Sequence, residues 1–462
     1  MPRRWRRDDG ADDAQMELAM TMQTKIANVA TAIPGPKSAA LIERWHQFEA
    51  DTTGRQVPVV WDRARGVTVD DVDGNRFIDW TSGVLVTNLG HCHPKLVEAV
   101  RESVGRLINN YECANENRIR AAEALVAALP GHLDKCFFLT TGSEATESCL
   151  RIMKRKTGCF ETIGFHGGFH GRTSGAASAG GLSGTKRGYG PALPGVIRAP
   201  FPYPYRCPVQ GDDGRIIDYY MSQLDETVAA NSCGSLAGIM VEPYLGAAGF
   251  IFPPDGYMKE LERWCREKSI VFTLDEVQSS YGRMGRMWGM EVEGVTPDLV
   301  SIGKGIGNGV PVAAVAARGD VIDCLGKGEM SSTVGGNPIS SAAVIAILEA
   351  MVEDRIVENV QRVGPLMLDR LRAMQEKSRY LGDVRGKGLV IGLEIVEDKK
   401  TKAPSPDLTR QLMQRCAENG VLIGSVGIYG NVVRVAPPLC ITEDEANESL
   451  DIMAKSLTSL EG

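Results

Sequence analysis

Across residues 67–80, apolar side chains alternate with polar ones on both sides of Asp73-Gly74. Alternation with period two puts every second side chain on one face of a strand, and an Asp-Gly pair tolerates the positive φ of a tight turn. The segment therefore predicts a β-hairpin. From about His91 onward the pattern changes. Short apolar runs alternate with stretches of helical periodicity, which predicts an α/β unit on a mostly parallel sheet. Residues 136–139, 238–241, 270–274 and 299–302 are such runs, each stopping at a polar or glycine-containing turn. Ligands of open parallel sheets sit outside the carboxyl ends of the strands. Thr141, Glu242, Asp275 and Lys304 all fall at such ends. A helical stretch over residues 338–380 leads out of this unit, and a smaller α+β unit follows, with strands expected over 389–395 and 431–436.

The 462 residues are enough for a large domain and a smaller one. The expected division is a tail without regular structure over residues 1–25, an N-terminal segment with the hairpin over 26–90 that joins the small domain, a large domain over 91–340 and a C-terminal small domain over 341–462. A hydrophobic fraction of 43% is ordinary for a globular protein. The net charge of −7, with no basic stripe beyond the extreme N-terminus, gives no basis for nucleic-acid binding. No stretch reads as a membrane span, because the most apolar region, residues 236–254, is broken by Glu242, Pro243 and several glycines. Eleven cysteines form neither CxxC pairs nor Cys/His clusters. That spacing argues against a metal site or a disulfide framework and suits the cytoplasm, with each cysteine expected to be a buried small apolar residue.

Three segments carry candidate chemistry. Thr140-Thr141-Gly142-Ser143-Glu144-Ala145 joins a strand to an amphipathic helix. Free N–H groups and hydroxyls there suit a phosphate, although an ordinary helix cap has the same composition. Thr273-Leu274-Asp275-Glu276-Val277-Gln278 sets a carboxylate at the end of a buried strand. Ser301-Ile302-Gly303-Lys304-Gly305 places a lysine between glycines after another. A desolvated lysine amine loses part of its charge and becomes a nucleophile, whereas a solvated loop lysine does not. Together the three supply what pyridoxal 5′-phosphate (PLP) chemistry needs: an anion site, an acid for the ring nitrogen and an amine for the imine.

The run Leu274-Asp275-Glu276-Val277-Gln278-Ser279-Ser280-Tyr281-Gly282-Arg283-Met284-Gly285, followed by Pro297-Asp298-Leu299 and Gly303-Lys304-Gly305, resembles the signature of class III (ω-amino-acid) aminotransferases. The resemblance covers the chain from about residue 40 onward. It implies PLP fold type I, with a mostly parallel seven-stranded sheet flanked by helices and a smaller α+β domain. It also implies roles for residues: Lys304 bonds PLP, Asp275 pairs with the ring nitrogen, and Gly142 and Ser143 form the phosphate turn. Thr333 would arrive from a neighbouring subunit, which implies a homodimer. Phe169 would stack on the ring, Val277 would pack on its face and Gln278 would lie near the phenolic oxygen. Glu242 resembles an acid behind the ring, with a purely structural role left open.

For substrate, Arg434 in Asn431-Val432-Val433-Arg434 resembles the family's α-carboxylate clamp, suited to it by a planar fork of donors. Arg172, in His170-Gly171-Arg172-Thr173, resembles the arginine that holds the distal carboxylate in 4-aminobutyrate aminotransferases, and Val84 falls at their branched aliphatic position. Those enzymes usually carry a glutamate, which masks the clamp, where this chain has Ala247. The expected reaction is ping-pong transfer of an amino group from an ω-amino acid or amine to 2-oxoglutarate or pyruvate. The alternatives are a 2,2-dialkylglycine decarboxylase-type reaction and an aminomutase or epimerase.

Overall fold

The computed structural model describes residues 25–52, 56–209 and 211–461. Residues 1–24 of the expected tail lie outside the described residues. The hairpin forms as the alternation predicts. Strands β1 (Trp61–Arg65), β2 (Thr68–Asp71) and β3 (Arg76–Asp79) pair antiparallel in that order. Its turn is closed by Asp71, whose Oδ1 accepts from the N–H groups of Asp73 at 2.9 Å and Asn75 at 2.8 Å, with Gly74 at φ 89°.

Seven strands build the central sheet: β4 (Lys135–Leu139), β5 (Glu161–Phe165), β6 (Val196–Ala199), β7 (Leu236–Val241), β8 (Val271–Asp275), β9 (Leu299–Ile302) and β10 (Ala313–Ala317). Their order is β4-β10-β9-β8-β7-β5-β6, and only β10 runs against its neighbours. Strands β5, β8, β9 and β10 are buried along their whole length. Burial on both faces explains why such strands read as unbroken apolar runs rather than alternating ones. β10 escapes that reading because Ala313-Ala314-Val315-Ala316-Ala317 has weak strand preference. It is a strand because Leu139 and Ile302 on its two neighbours need a partner there.

The last strands are β11 (Leu381–Lys387), β12 (Val390–Ile395), β13 (Val421–Leu422), β14 (Gly424–Val426) and β15 (Val432–Val435). Four of them form a sheet in the order β11-β12-β15-β14, while β13 pairs parallel with β3 and so joins the N-terminal hairpin. The helical stretch expected over 338–380 is two helices, Pro338–Glu353 and Ile356–Lys377. Arg355, at φ 52°, breaks them by its left-handed backbone.

The cysteine expectation needs correction. Cys149, Cys207, Cys265 and Cys416 are buried, but Cys92, Cys113 and Cys233 are exposed in loops, and all eleven are free thiols. Among the described residues, no helix is long and apolar enough to cross a membrane.

Candidate active site

The carboxyl ends of the central strands carry the candidate residues. After β4, Thr141 caps the helix Gly142–Thr157: its hydroxyl accepts from Glu144 N at 3.2 Å, and Glu144 Oε2 accepts from Thr141 N at 3.0 Å. This reciprocal pair satisfies two end donors. The N–H groups of Gly142 and Ser143 have no acceptor among the described residues. They face outward at the positive end of a 16-residue helix, an arrangement that attracts an anion.

Glycines set the close approaches around that end. A Cβ on Gly142 would lie 3.0 Å from Val277 Cγ1, and one on Gly303 would lie 3.1 Å from the same atom. Val277 is therefore packed between the helix end and the turn that bears Lys304. Gly171, at φ 134°, lets the chain pass so near Ser143 that a Cβ there would overlap Ser143 Oγ. Ser143 Oγ in turn accepts from Arg172 N at 3.3 Å.

Beyond Val277, Asp275 ends β8 with 5% exposure, its Oδ1 accepting from Val277 N at 3.0 Å and its Oδ2 2.7 Å from His170 Nδ1. Burial by itself would lower the His170 pKa, but the hydrogen bond and the charge of Asp275, aided by Glu242, raise it above the usual histidine value. Glu242, just past β7, accepts from Phe169 N and from Gly246 N, each at 2.9 Å. Its burial pushes its carboxyl up to about 7, with His170 opposing and Asp275 reinforcing the shift. Glu242 thus fixes the backbone of the segment that carries Phe169. Gln278 Oε1 is buried without a hydrogen-bond partner among the described residues.

Lys304 sits at φ 48° on a single 3-10 turn after β9. Burial lowers the pKa of its amine; Asp275 and Glu242 oppose that shift and Arg434 adds to it. Four separate strands therefore bring Lys304, Asp275, Glu242 and Arg434 within electrostatic reach of one another. Arg434, on β15, is 3% exposed, and its Nε and Nη2 are buried without hydrogen-bond partners among the described residues. Burial lowers its pKa to about 10, against the pull of Asp79, so it stays charged at neutral pH. An unpaired buried guanidinium is expensive to leave unsatisfied, and a carboxylate would satisfy it with two hydrogen bonds.

The remaining predicted residues lie at the surface. Arg172 is exposed with its guanidinium carbon 5.9 Å from the centre of the Phe169 ring. Val84 is 42% exposed, at φ 68°, in a turn of left-handed residues. Thr333 is exposed and makes no hydrogen bond among the described residues. Sequence reading did not single out His170, the buried partner of Asp275. The available signal was its place between Phe169 and the Gly171-Arg172 pair, both of which the family resemblance marks.

These residues fit PLP. The free helix end and Ser143 suit its phosphate, the glycine-flanked Val277 a flat ring, and the buried Asp275 a ring nitrogen. Fold and site together define a PLP-dependent enzyme of fold type I. The family model for "Aminotransferase class-III" matches residues 50–457, and the chain belongs to that family. It is 36% identical over 446 residues, 93% of this chain and 98% of the relative, to a 4-aminobutyrate aminotransferase of Mycobacterium bovis. It is 35% identical over 438 residues, 92% of this chain and 91% of the relative, to an alanine/serine racemase of Pyrococcus horikoshii. Its fold matches, with a TM-score of 0.84 and 27% identity, the PLP-bound amine transaminase of an uncultivated Pseudomonas species, covering 89% of this chain and 98% of that one.

Proposed function

We propose that the protein moves an amino group from an ω-amino acid or related amine to a 2-oxo acid, 2-oxoglutarate or pyruvate, in two half-reactions at one site. The observation that carries this reading is the pairing of a lysine of lowered pKa with a buried arginine that has no partner among the described residues: Lys304 to handle the amine and Arg434 to hold the carboxylate beside it. PLP, when bound, supplies an electron sink for the substrate carbon.

In this reading Lys304 attaches the cofactor covalently. Its amine would move a proton to and from the substrate carbon, a role that burial favours by lowering its pKa from the usual lysine value. Asp275, oriented by His170, holds a proton on the ring nitrogen. Gly142 and Ser143 bind the phosphate, and Phe169, held by Glu242, stacks on one ring face while Val277 packs on the other. Gln278 donates to the phenolic oxygen through its amide. Thr333 completes the phosphate site of a neighbouring subunit, so the working unit is a homodimer. Val84 and Arg172 line the distal part of the substrate pocket, where Arg172 meets a second carboxylate. The site lies between a PLP-binding domain over 91–340 and a small domain over 341–462 joined by 26–90, in a protein of the cytoplasm.

The racemase relative favours a second reading, epimerisation of an amino acid, which would return the proton to the opposite face without a 2-oxo acid. A decarboxylating transaminase is separated by carbon dioxide release. Borohydride reduction of the holoenzyme followed by peptide mapping tests the central assignment: a pyridoxyl group on Lys304 is expected, and its absence there overturns the reading. Screening amines with and without pyruvate or 2-oxoglutarate then separates transfer from epimerisation.

A further inference from the structure

Arg283 has 0% exposure, yet among the described residues no carboxylate pairs with it. Its Nη1 donates to the carbonyls of Pro437 at 2.7 Å and Leu389 at 3.0 Å, and its Nη2 to Asn88 Oδ1 at 2.8 Å and Ser82 Oγ at 3.2 Å. Burial lowers its pKa to about 10, with Tyr244 and Asp79 opposing, so the cation persists at neutral pH. A buried charge held only by neutral acceptors is a costly way to tie segments together. What those segments carry gives the arrangement a use.

Ser82 opens the turn Ser82–Leu85, in which Ser82, Val84 and Leu85 have φ of 41°, 68° and 61°. Side chains disfavour this left-handed region, and such a conformation persists only where its surroundings hold it. Ser82 Oγ also donates to Ala436 O at 2.7 Å, between Arg434 and Pro437. Asn88 Nδ2 donates to Tyr281 O at 2.9 Å and would lie 2.8 Å from a Cβ on Gly305, the residue after Lys304. One guanidinium therefore touches the turn of Val84, the neighbour of the Lys304 turn and the segment that follows Arg434.

We propose that Arg283 is a positioning residue that sets the spacing between Val84, Lys304 and Arg434, and through it the place of the substrate carboxylate relative to the reacting amine. This rests on the roles proposed above for Lys304 and Arg434. Lysine could not replace Arg283, because a compact ammonium has three donors and no planar fork to reach four acceptors on three segments.

The test compares the holoenzyme with Arg283→Lys and Ser82→Ala. Cofactor content, the site of borohydride labelling, kcat and KM per bound cofactor, and the Kd of propionate, a non-reacting carboxylate, are measured for each. The expected result for Arg283→Lys is retained cofactor on Lys304 with KM for a carboxylate-bearing amine, and Kd for propionate, raised roughly tenfold and kcat changed less. Ser82→Ala should move both in the same direction by a smaller factor, and it decides the matter if the lysine variant does not fold. Unchanged KM and Kd in the folded variants, even with lowered thermal stability, would overturn the proposal by leaving Arg283 a structural tie only. Failure of wild-type labelling at Lys304 would fall on the proposed function instead, since the propionate Kd reads the pocket without the reaction.

Discussion

His170 Nδ1 lies 2.7 Å from Asp275 Oδ2, and both side chains are buried, His170 reaching from the segment after β5 and Asp275 ending β8. A loop and a strand end far apart in sequence thus meet at the group proposed to face the ring nitrogen. The contact fixes one carboxylate oxygen, while the other accepts from Val277 N, so the carboxylate has little freedom to rotate. Removing a hydrogen bond to a buried charged group costs about 1.5–3 kcal/mol. His170→Ala should therefore keep the cofactor but lower kcat by about tenfold to a hundredfold, read by steady-state rates per bound cofactor. An unchanged kcat would mean that Asp275 needs no orienting partner.

Arg434 offers buried donors with no partner among the described residues. Arg434→Leu should raise KM for carboxylate-bearing substrates by about a hundredfold or more, the scale expected when one partner of a buried charge-assisted pair is lost. A carboxylate-free amine should be affected far less, and a kinetic comparison of the two classes of donor checks it. Equal losses for both would place Arg434 outside the substrate pocket.

Gly171 is needed for space and for backbone conformation alike. Its φ of 134° disfavours any side chain, and a Cβ would overlap Ser143 Oγ at the helix end. Gly171→Ala should displace Ser143 and weaken PLP binding by roughly tenfold, measured by cofactor titration of the apoprotein. Wild-type affinity in this variant would remove Ser143 from the phosphate site.

Glu242 gives a pH dependence whose sign follows from its burial. Its carboxyl is raised from 4.5 to about 7 in the folded protein. A group raised on folding contributes stability that is full below its unfolded value and is lost as pH rises through the folded one. Apoprotein stability should therefore fall between about pH 4.5 and pH 7, by something on the order of 1–3 kcal/mol from this group. Glu276, also buried and raised to about 7, adds a loss of the same sign. In thermal melts from pH 5 to pH 8, Glu242→Gln should gain on the wild type as pH rises, and a constant difference would count against an ionising Glu242.

The sequence alone determined which residues end which strands. Apolar runs buried on both faces are visible without coordinates, so the positions of Asp275, Glu242 and Lys304 at strand ends were legible, as were the hairpin at Asp73-Gly74 and the helix that begins at Gly142. The family pattern in residues 274–285 added the cofactor. What it could not supply was anything that depends on chain segments meeting in space. β10 is a strand because its neighbours make it one, against the weak preference of its alanines. The break at Arg355 and the exposure of Cys92, Cys113 and Cys233 follow from packing that no local pattern encodes. The same holds at the site. His170 reaches Asp275 across 105 positions and Arg283 reaches Ser82 across 201. Local periodicity reports which face of an element is buried, and only the tertiary structure decides which buried polar atoms become partners and which, like those of Arg434, find none among the described residues.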